Sequence, residues 1–478
     1  MLTTVLDPTQ IQRLDSAART ILERTGVEVP HDDLLSRLAD SGAQVDFGSR
    51  RVRLPNDLVD RCLAQAGGQY TLYGRDLNRQ ARFGQGCRNY NSIHGEAHWT
   101  DRVGGPRRPA TLADVASAAR LGELLPRLTV VGAMADPHEL PVSWRCVAVM
   151  AELLTHTTKP IGFWYHDRAS ARFCNELMLA LRGDAATARR YPLCGPFLEP
   201  ISPLRFPFHG LDLLYETARL GLPVAVGPMA QMGLSAPMSL AGTMALEHAE
   251  ILAGICLTQT ISPGVPICYG GICHAFDMRT TQMIFGGPEQ AILGVGMTQL
   301  GRSLGLPVYI NVGLTDSKRP DAQAGLECGA TLLAGAAAGA DIFGHLGICG
   351  VDQATCLDML CWQHEVVEYV ESCLRELDLD DEALALDLID QLGPGGRFID
   401  TDHTARRFRA EQWFPTLLDR DYHQTWLDGG ARSAEDRARG WRADLSLRPP
   451  AEPLDETLAA ELAGVVAAAR RVLGPVVS

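Results

Sequence analysis

The sequence lacks the features of a nucleic-acid-binding or membrane-spanning chain. No cluster of Lys and Arg resembles a basic recognition helix, and the net charge of −14 with a pI near 5.4 disfavours a nucleic-acid partner. The longest runs of apolar and small residues, such as ATLLAGAAAGA at 330–340, are too short and too rich in Gly and Ala to cross a bilayer. We therefore expect neither nucleic acid nor a membrane as a partner.

A disulfide framework and a secretory leader are also missing. The 13 cysteines are odd in number and scattered singly, with no CxxC, which favours reduced thiols. The opening segment MLTTVLDPTQIQRLDSAART has no basic stretch followed by an apolar block. Together these absences predict a cytoplasmic protein.

No recognised metal or phosphate motif is present. Cys268, Cys273 and His274 in CYGGICH have a spacing that matches no common structural zinc site, and Cys268 falls within a predicted strand. The glycine-rich stretches GGPEQ and GPGGR lack the Lys and Ser/Thr of a P-loop. We expect no metal site in the chain.

What is present is enough apolar sequence for a large core. The chain has 478 residues, 46% of them hydrophobic and 21% charged, as in ordinary soluble globular proteins. Its pattern changes twice. We predict an N-terminal α+β extension over 1–105, a barrel over 106–400 and a C-terminal helical appendage over 401–478.

The middle zone alternates apolar strand candidates with helical segments. Such continuous apolar strands predict a parallel sheet covered on both faces, and their number in series favours an α/β fold of the (β/α)8 TIM-barrel type. The eighth strand is predicted at GRFID, 396–400. The other seven candidates are LTVVGAM, KPIGFWY, YPLCGPFLEP, LPVAVGPM, VPICYGG, LPVYINVG and ADIFGHLG.

In such a barrel the loops at the carboxyl ends of the strands build the site. Because side chains alternate along a strand, Tyr309 and Asn311 should share one face, and Phe343 and His345 another. Asn311 and His345 are candidates for positioning a substrate, and we expect no catalytic acid or base. The candidate substrate-binding residues follow the predicted strands or lie in CRNYNSIHGEAHWTD: Tyr90, His94, Trp164, Tyr165, Glu199, Tyr269, Asp277, Arg279, Tyr309, Asn311, Asp316, Phe343 and His345.

Each candidate has a structural alternative. Trp164 and Tyr165 are typical packing residues at a barrel rim, and His345 equally fits a hydrogen-bonded core histidine. Asp277 and Arg279 are close enough in sequence to pair and simply hold their own loop.

Several motifs together resemble the trimethylamine methyltransferase (MttB) superfamily, in its branch without pyrrolysine. The resemblance spans nearly the whole chain, and the order and spacing of the motifs carry it. They are RRPATLADVASAARL, HTTKPIGF, EPISPLRF, LSAPMSLAGTMALEHAEILAG, PGVPICYGGICHAFDMRT, GGPEQAILG, GLTDSKRPDAQAGLE and LGPGGRFIDTDHTARRFR.

The resemblance implies a TIM-barrel methyltransferase that moves a methyl group from a quaternary or tertiary methylamine, such as glycine betaine, to the Co(I) of a separate corrinoid protein. It implies that the corrinoid (cobalamin) comes from that partner and that the chain itself holds no tightly bound cofactor. A quaternary donor leaves as a neutral amine, so the enzyme needs no general acid. It needs a sheltered cavity with aromatic faces for the ammonium group.

Two other functions stay open at this point. A barrel lyase or hydrolase could use Asp277, Arg279 and Glu199 as acid and base, and a non-catalytic subunit could bind methylamines without turnover. In either case we expect a homo-oligomer, because the aromatic and apolar residues of the tail need cover.

Overall fold

The computed structural model describes residues 3–474. Its helices are α1 (Pro8–Arg24), α2 (Asp32–Asp40), α3 (Asn56–Gln65), α4 (Leu112–Leu124), α5 (Val142–His156), α6 (Arg168–Arg182), α7 (Ala185–Arg190), α8 (Phe208–Thr217), α9 (Leu240–Ile261), α10 (Pro288–Ser303), α11 (Ala322–Ala338), α12 (Leu357–Cys373), α13 (Asp381–Leu384), α14 (Leu386–Leu392), α15 (Asp402–Glu411), α16 (His423–Asp428), α17 (Ala434–Ser446) and α18 (Glu456–Leu473).

The strands are mostly short. They are β1 (Val27–Glu28), β2 (Gln44–Asp46), β3 (Arg51–Arg53), β4 (Tyr70–Tyr73), β5 (Gln80–Phe83), β6 (Asn89–Ser92), β7 (His98–Trp99), β8 (Arg108–Pro109), β9 (Val131–Gly132), β10 (Ile161–Gly162), β11 (Phe197–Leu198), β12 (Val224–Val226), β13 (Gln231–Met232), β14 (Ile267–Gly271), β15 (His274–Asp277), β16 (Gln282–Ile284), β17 (Val308–Ile310), β18 (Ile342–Leu346), β19 (Ile348–Cys349) and β20 (Ala354–Thr355).

A curled parallel sheet forms the centre of this α/β fold. Six of its strands run in the order β11-β12-β14-β17-β18-β6, and every neighbouring pair is parallel. A further parallel pair joins β9 to β10. Each of the seven apolar segments predicted as strands contains one of these parallel strands, so that part of the prediction is confirmed.

The predicted eighth strand at 396–400 is wrong. That segment is a turn between α14 and α15, and Ile399 is 77% exposed, so no neighbouring layer covers its apolar residues. The strand that pairs with β18 is instead β6, whose sequence is Asn-Tyr-Asn-Ser. The sheet therefore takes a strand from the segment that we assigned to the N-terminal extension.

Helix α9 is buried on all sides. Among residues 3–474 it is the one helix long and apolar enough to cross a membrane, but the apolar part is 83% buried inside the protein. It packs against α1, α3 and the strands β12 and β14. These contacts make it a core helix in this structure.

Carboxylates on the surrounding helices hold the loops that follow the strands. Glu247 of α9 accepts hydrogen bonds from the amides of Ala230 and Ile272, at 3.0 and 2.7 Å, which lie beyond β12 and β14. Glu327 of α11 accepts from the Thr315 hydroxyl and the Asp316 amide beyond β17, at 2.6 and 2.8 Å. Buried amides need such partners, so these acids fix the loop positions at one end of the sheet.

The C-terminal helices pack on the outside of the fold. Helix α17 lies against α12, and α18 lies against α5 and α6. Arg319, in the loop before α11, pairs with Glu435 of α17 at 2.6 Å, and Arg442 pairs with the buried Asp358 of α12 at 3.0 Å. The predicted tail is thus tied to the helices around the sheet by ion pairs as well as by apolar contacts.

A Gly132→Ala variant tests the close approach of β9 to β6. The new methyl group would collide with the backbone carbonyl oxygens of Ser92 and Ile93, which cannot move without breaking the sheet. We expect a loss of about 1–3 kcal/mol in stability or no folded protein, measured as the midpoint of urea unfolding. Gly440→Ala is the matched control: Gly440 lies inside α17 with nothing within 4 Å, so its replacement should stabilise the protein. Equal midpoints for the two variants would contradict this account of the packing.

Candidate functional site

A partly open pocket lies at the carboxyl ends of the parallel strands. Its volume is about 200 Å³. Most of its residues lie in the parallel strands or within three residues of their carboxyl ends, which is where loops build the binding sites of parallel α/β folds. The lining residues are Ile93, Glu96, Trp164, Phe197, Glu199, Met229, Ile272, His345 and Asp352.

Aromatic rings form one wall of the pocket. Trp164 meets the Phe197 ring edge-on with centroids 6.1 Å apart and the His345 ring at 6.3 Å. Behind this wall, His94 lies 4.9 Å from Trp164, and Tyr309 lies 5.5 Å from Phe197. The Trp164 indole N–H donates to the Gly95 carbonyl at 2.8 Å, which fixes the ring. Ring faces of this kind attract cations when water is excluded.

A β-bulge brings His345 into the pocket. The register of β18 against β6 shifts between Phe343 and Leu346, so side-chain alternation breaks there. Phe343 stacks on Tyr90, whose hydroxyl donates to Glu371 of α12, and both rings therefore face the helix layer. The prediction that Phe343 and His345 share one face is wrong because of this bulge.

Three carboxyl groups share the pocket. Burial, followed by the nearby charge of Asp352, raises the pKa of Glu96 to about 10, and a hydrogen bond from Glu96 joins the two side chains. Burial also raises the pKa of Asp352. Glu199 is accessible within the pocket, and desolvation there, followed by the charge of Asp352, raises its pKa to about 7. At neutral pH the Glu96–Asp352 pair therefore shares a proton, because two adjacent carboxylates cannot both ionise cheaply.

The backbone that presents Asp352 is strained. Gly350, Val351 and Asp352 have successive φ angles of 64°, 59° and 53°, all in the left-handed region. A β-branched residue such as Val351 rarely adopts this conformation. Strain of this kind clusters where a structure must hold a functional group in place.

The histidines near the pocket are neutral. Burial lowers the pKa of His94 to about 4, and burial followed by the charges of His94 and His274 lowers that of His345 well below its usual range. Within residues 3–474, His345 Nε2, His94 Nδ1 and Asn311 Oδ1 are buried without a hydrogen-bond partner. Unpaired buried polar atoms are rare, and His345, which lines the cavity, can hydrogen-bond to a molecule in it.

The structure brings some of the predicted site residues together. Trp164, Glu199 and His345 line the pocket. His94 and Tyr309 contact these rings from behind, and the Asn311 amide lies 3.3 Å from His274 Nε2.

Other predicted residues point away from the pocket. The Tyr269 hydroxyl lies 2.8 Å from His248 Nδ1 of α9, and the Tyr165 hydroxyl lies 3.4 Å from Cys194 Sγ. These rings, with Tyr90 and Phe343, occupy the sheet face that meets the helices and are not among the residues that line this pocket. Alternation along a strand places every second side chain on that outer face.

Three polar candidates also serve other contacts. Asp277 and Arg279 pair with each other at 3.0 Å, and Arg279 is 88% exposed. Asp316 accepts a hydrogen bond from the Phe285 amide at 2.7 Å. This contact links the loop after β17 to the segment between β16 and α10. These roles match the structural alternative for the Asp277–Arg279 pair.

Sequence reasoning missed Glu96, Asp352 and the apolar residues Ile93, Met229 and Ile272 as pocket residues. Phe197, which lies inside the predicted strand YPLCGPFLEP, was not among the candidate site residues. Glu96 had a usable signal, because it lies two residues after His94 on the segment from β6. Asp352 had none, since its position depends on the strained turn after β19.

The family model described as Trimethylamine methyltransferase (MTTB) matches residues 1–474. The chain resembles a glycine betaine methyltransferase from Desulfitobacterium hafniense (strain Y51), with 28% identity covering 98% of each chain. It also resembles the trimethylamine methyltransferase MttB of Desulfitobacterium hafniense (strain DSM 10664 / DCB-2), with 26% identity over 96% of this chain and 92% of that protein.

A solved structure supports the fold assignment. The crystal structure of the hydroxylamine MtmB complex has a TM-score of 0.50 and 9% identity, covering 92% of this chain and 93% of that chain. At such identity the likeness concerns the α/β fold alone. The protein is an enzyme of the methyltransferase class. Because the family model spans almost its entire length, the chain belongs to the trimethylamine methyltransferase (MTTB) family, and the resemblance predicted from the sequence is confirmed.

The raised pKa of Glu199 predicts a pH-dependent effect of Glu199→Gln. The folded protein holds this proton more tightly than the unfolded chain, so the resulting stabilisation is complete below the ordinary glutamate pKa and is lost as pH rises through about 7. The glutamine side chain of the variant does not titrate, so the variant does not lose stability in this way. The Tm of the variant minus that of the wild type should therefore increase between pH 5 and pH 8 by thermal melts. Glu176→Gln on α6 is the control for the general effect of losing one acidic side chain. If the Tm difference between Glu199→Gln and the wild type does not change with pH, the raised pKa of Glu199 is refuted.

Proposed function

We propose that the protein transfers a methyl group from a quaternary or tertiary methylamine to the Co(I) of a separate corrinoid protein. The observation that carries this proposal is the pocket, whose wall is aromatic and whose ionisable side chains are all acidic or neutral. Membership of the family and the names of its relatives support the same chemistry. A methylated ammonium ion is the donor that such a cavity favours.

We infer that the parallel strands close into a (β/α)8 barrel around this pocket. Asn91, in β6, forms a parallel bridge with Val130 beside β9, and β9 pairs with β10. The Ile161 amide of β10 donates to the Leu193 carbonyl ahead of β11 at 3.4 Å. Together with the six-stranded sheet, these links support the proposal that the strands form a closed barrel.

The corrinoid fits this proposal as an acceptor carried by a partner protein. A cavity of about 200 Å³ suits a small methylamine and is far too small for a corrin ring. The Co(I) centre supplies the electron pair for the new Co–C bond. The electrons of the broken C–N bond stay on nitrogen. A quaternary donor then leaves as a neutral amine and needs no proton from the enzyme.

The side chains of this protein would hold and orient the donor. Trp164 and Phe197 offer faces and edges to the ammonium methyl groups, and the buried, neutral His345 can position the ligand through its unpartnered Nε2. Alignment of a donor with its acceptor supplies several kcal/mol of the barrier, up to roughly 7–11 in ideal cases. Because the positive charge disappears during transfer, the enzyme must not bind the ammonium nitrogen too tightly.

The lyase or hydrolase alternative receives no support from the pocket. It requires Asp277, Arg279 and Glu199 to act on one substrate. Glu199 alone lines the cavity, whereas the other two pair with each other on an exposed loop.

We also propose a cytoplasmic homo-oligomer. The 13 cysteines are free, as expected in a reducing compartment. Apolar side chains between α12 and α17 are unusually exposed, including Leu377 at 76%, Leu379 at 70% and Tyr422 at 89%. A second subunit would cover such residues.

A Trp164→Ala variant tests the aromatic wall. A desolvated cation–π contact contributes about 2 kcal/mol, so kcat/KM should fall by about 30-fold in an assay that follows methylcobalamin formed from cob(I)alamin. Phe47→Ala removes an exposed aromatic ring and serves as the control, with unchanged kcat/KM expected. Unchanged kcat/KM in Trp164→Ala would exclude the wall from donor binding, and no methylcobalamin from any methylated amine would end the proposed function.

A further inference from the structure

The charge of the pocket is one-sided. Glu96, Glu199 and Asp352 all line it, and only acidic neighbours or burial act on the carboxyls of the two glutamates. No Lys or Arg is among the lining residues in the part of the chain that the structure describes. Any ligand in the cavity therefore meets a negative field without a compensating cation.

Three basic side chains outside the pocket lining, Lys318, Arg145 and Arg107, are engaged by other groups. Lys318 donates to the Asp316 carbonyl at 2.7 Å and is exposed. Arg145 pairs with Asp136 at 2.6 Å, and Arg107 donates to Gln353 at 3.2 Å. None of these side chains lines the pocket.

The neutral donors left for an anion are the His345 ring, whose Nε2 is unpartnered, and the protonated carboxyl groups. The Trp164 N–H is occupied by the Gly95 carbonyl. His345 and His94 are uncharged, so neither can serve as a cationic anchor. A carboxylate ligand in this cavity would lose its water and gain no positive partner, which is a costly combination.

We propose that the methyl donor is a quaternary ammonium cation that carries no carboxylate, so that the pocket selects against zwitterionic betaines. This inference rests on the proposed function and specifies its substrate class. In a betaine the carboxylate is tethered close to the nitrogen, so in a cavity of about 200 Å³ lined by three acids it stays near at least one of them. Like charges this close repel strongly where water is excluded.

The Glu96–Asp352 pair gives this cavity a second recognition element. Its shared proton leaves carboxyl oxygens free to accept a hydrogen bond, and the strained turn at Val351 holds Asp352 in position. A methyl donor that carries a hydroxyl group remote from its nitrogen can donate a hydrogen bond to this carboxyl pair. A betaine carboxylate cannot donate such a bond.

Calorimetric titration of the full-length protein tests the inference with three probes: tetramethylammonium, choline and glycine betaine. Both cations should bind at least tenfold more tightly than glycine betaine. At pH 8, above the raised pKa of Glu199, Glu199→Gln removes a negative charge and should narrow this ratio by fivefold or more, mainly by weakening the cations. Glu176→Gln on α6 should leave the ratio unchanged, and Asp352→Asn provides a second pocket variant should Glu199→Gln fail to fold.

The outcomes separate the two proposals. Glycine betaine binding as tightly as the cations, or none of the three probes binding, overturns the charge selection. If the ratio is as expected but no probe or other methylated amine yields methylcobalamin from cob(I)alamin, the pocket selects cations and the proposed methyl transfer is wrong. If glycine betaine binds well and donates its methyl group, methyl transfer stands and the substrate class proposed above is wrong.

Discussion

The desolvation of charge in one small cavity is the constraint on which the account of this protein depends. Glu96, Glu199 and Asp352 are drawn together at the carboxyl ends of the strands without a cation beside them, and burial raises the pKa of each. Such an arrangement costs stability in the empty protein. It becomes favourable when a cation enters, because the ligand then supplies the missing positive charge. Aromatic walls complement this by attracting the same ligand without holding it too tightly for transfer.

The rest of the fold keeps this cavity in shape. Helix carboxylates such as Glu247 and Glu327 accept hydrogen bonds from loop amides and so hold the pocket side of β12, β14 and β17. The bulge in β18 turns His345 inward, and the left-handed turn at 350–352 presents Asp352. These irregular features all lie where the regular strands end. Precise placement of reacting groups requires rigid support of this kind.

The sequence predicted the regular parts of the structure much better than the irregular parts. Runs such as LPVYINVG and VPICYGG predicted parallel strands correctly, because burial on both faces selects continuous apolar residues. Strand β6 was missed because Asn-Tyr-Asn-Ser carries no such signal, while GRFID was misassigned because a short apolar pair in an exposed turn resembles a strand. Among site residues, Trp164, Glu199 and His345 were predicted from their positions after strands. The predicted common face of Phe343 and His345 does not form, because a bulge in β18 separates the two side chains. The position of Asp352 depends on backbone strain. Neither feature is visible in the sequence.

The most direct test of the central claim is a crystal structure of the protein with tetramethylammonium. The account predicts the cation in the cavity with its nitrogen within about 6 Å of the Trp164 and Phe197 ring centroids. It also predicts the Glu199 carboxyl group on the same side of the cation as these two rings. A cation bound elsewhere, or an anion occupying the space between these rings and the three carboxyl groups, would contradict it.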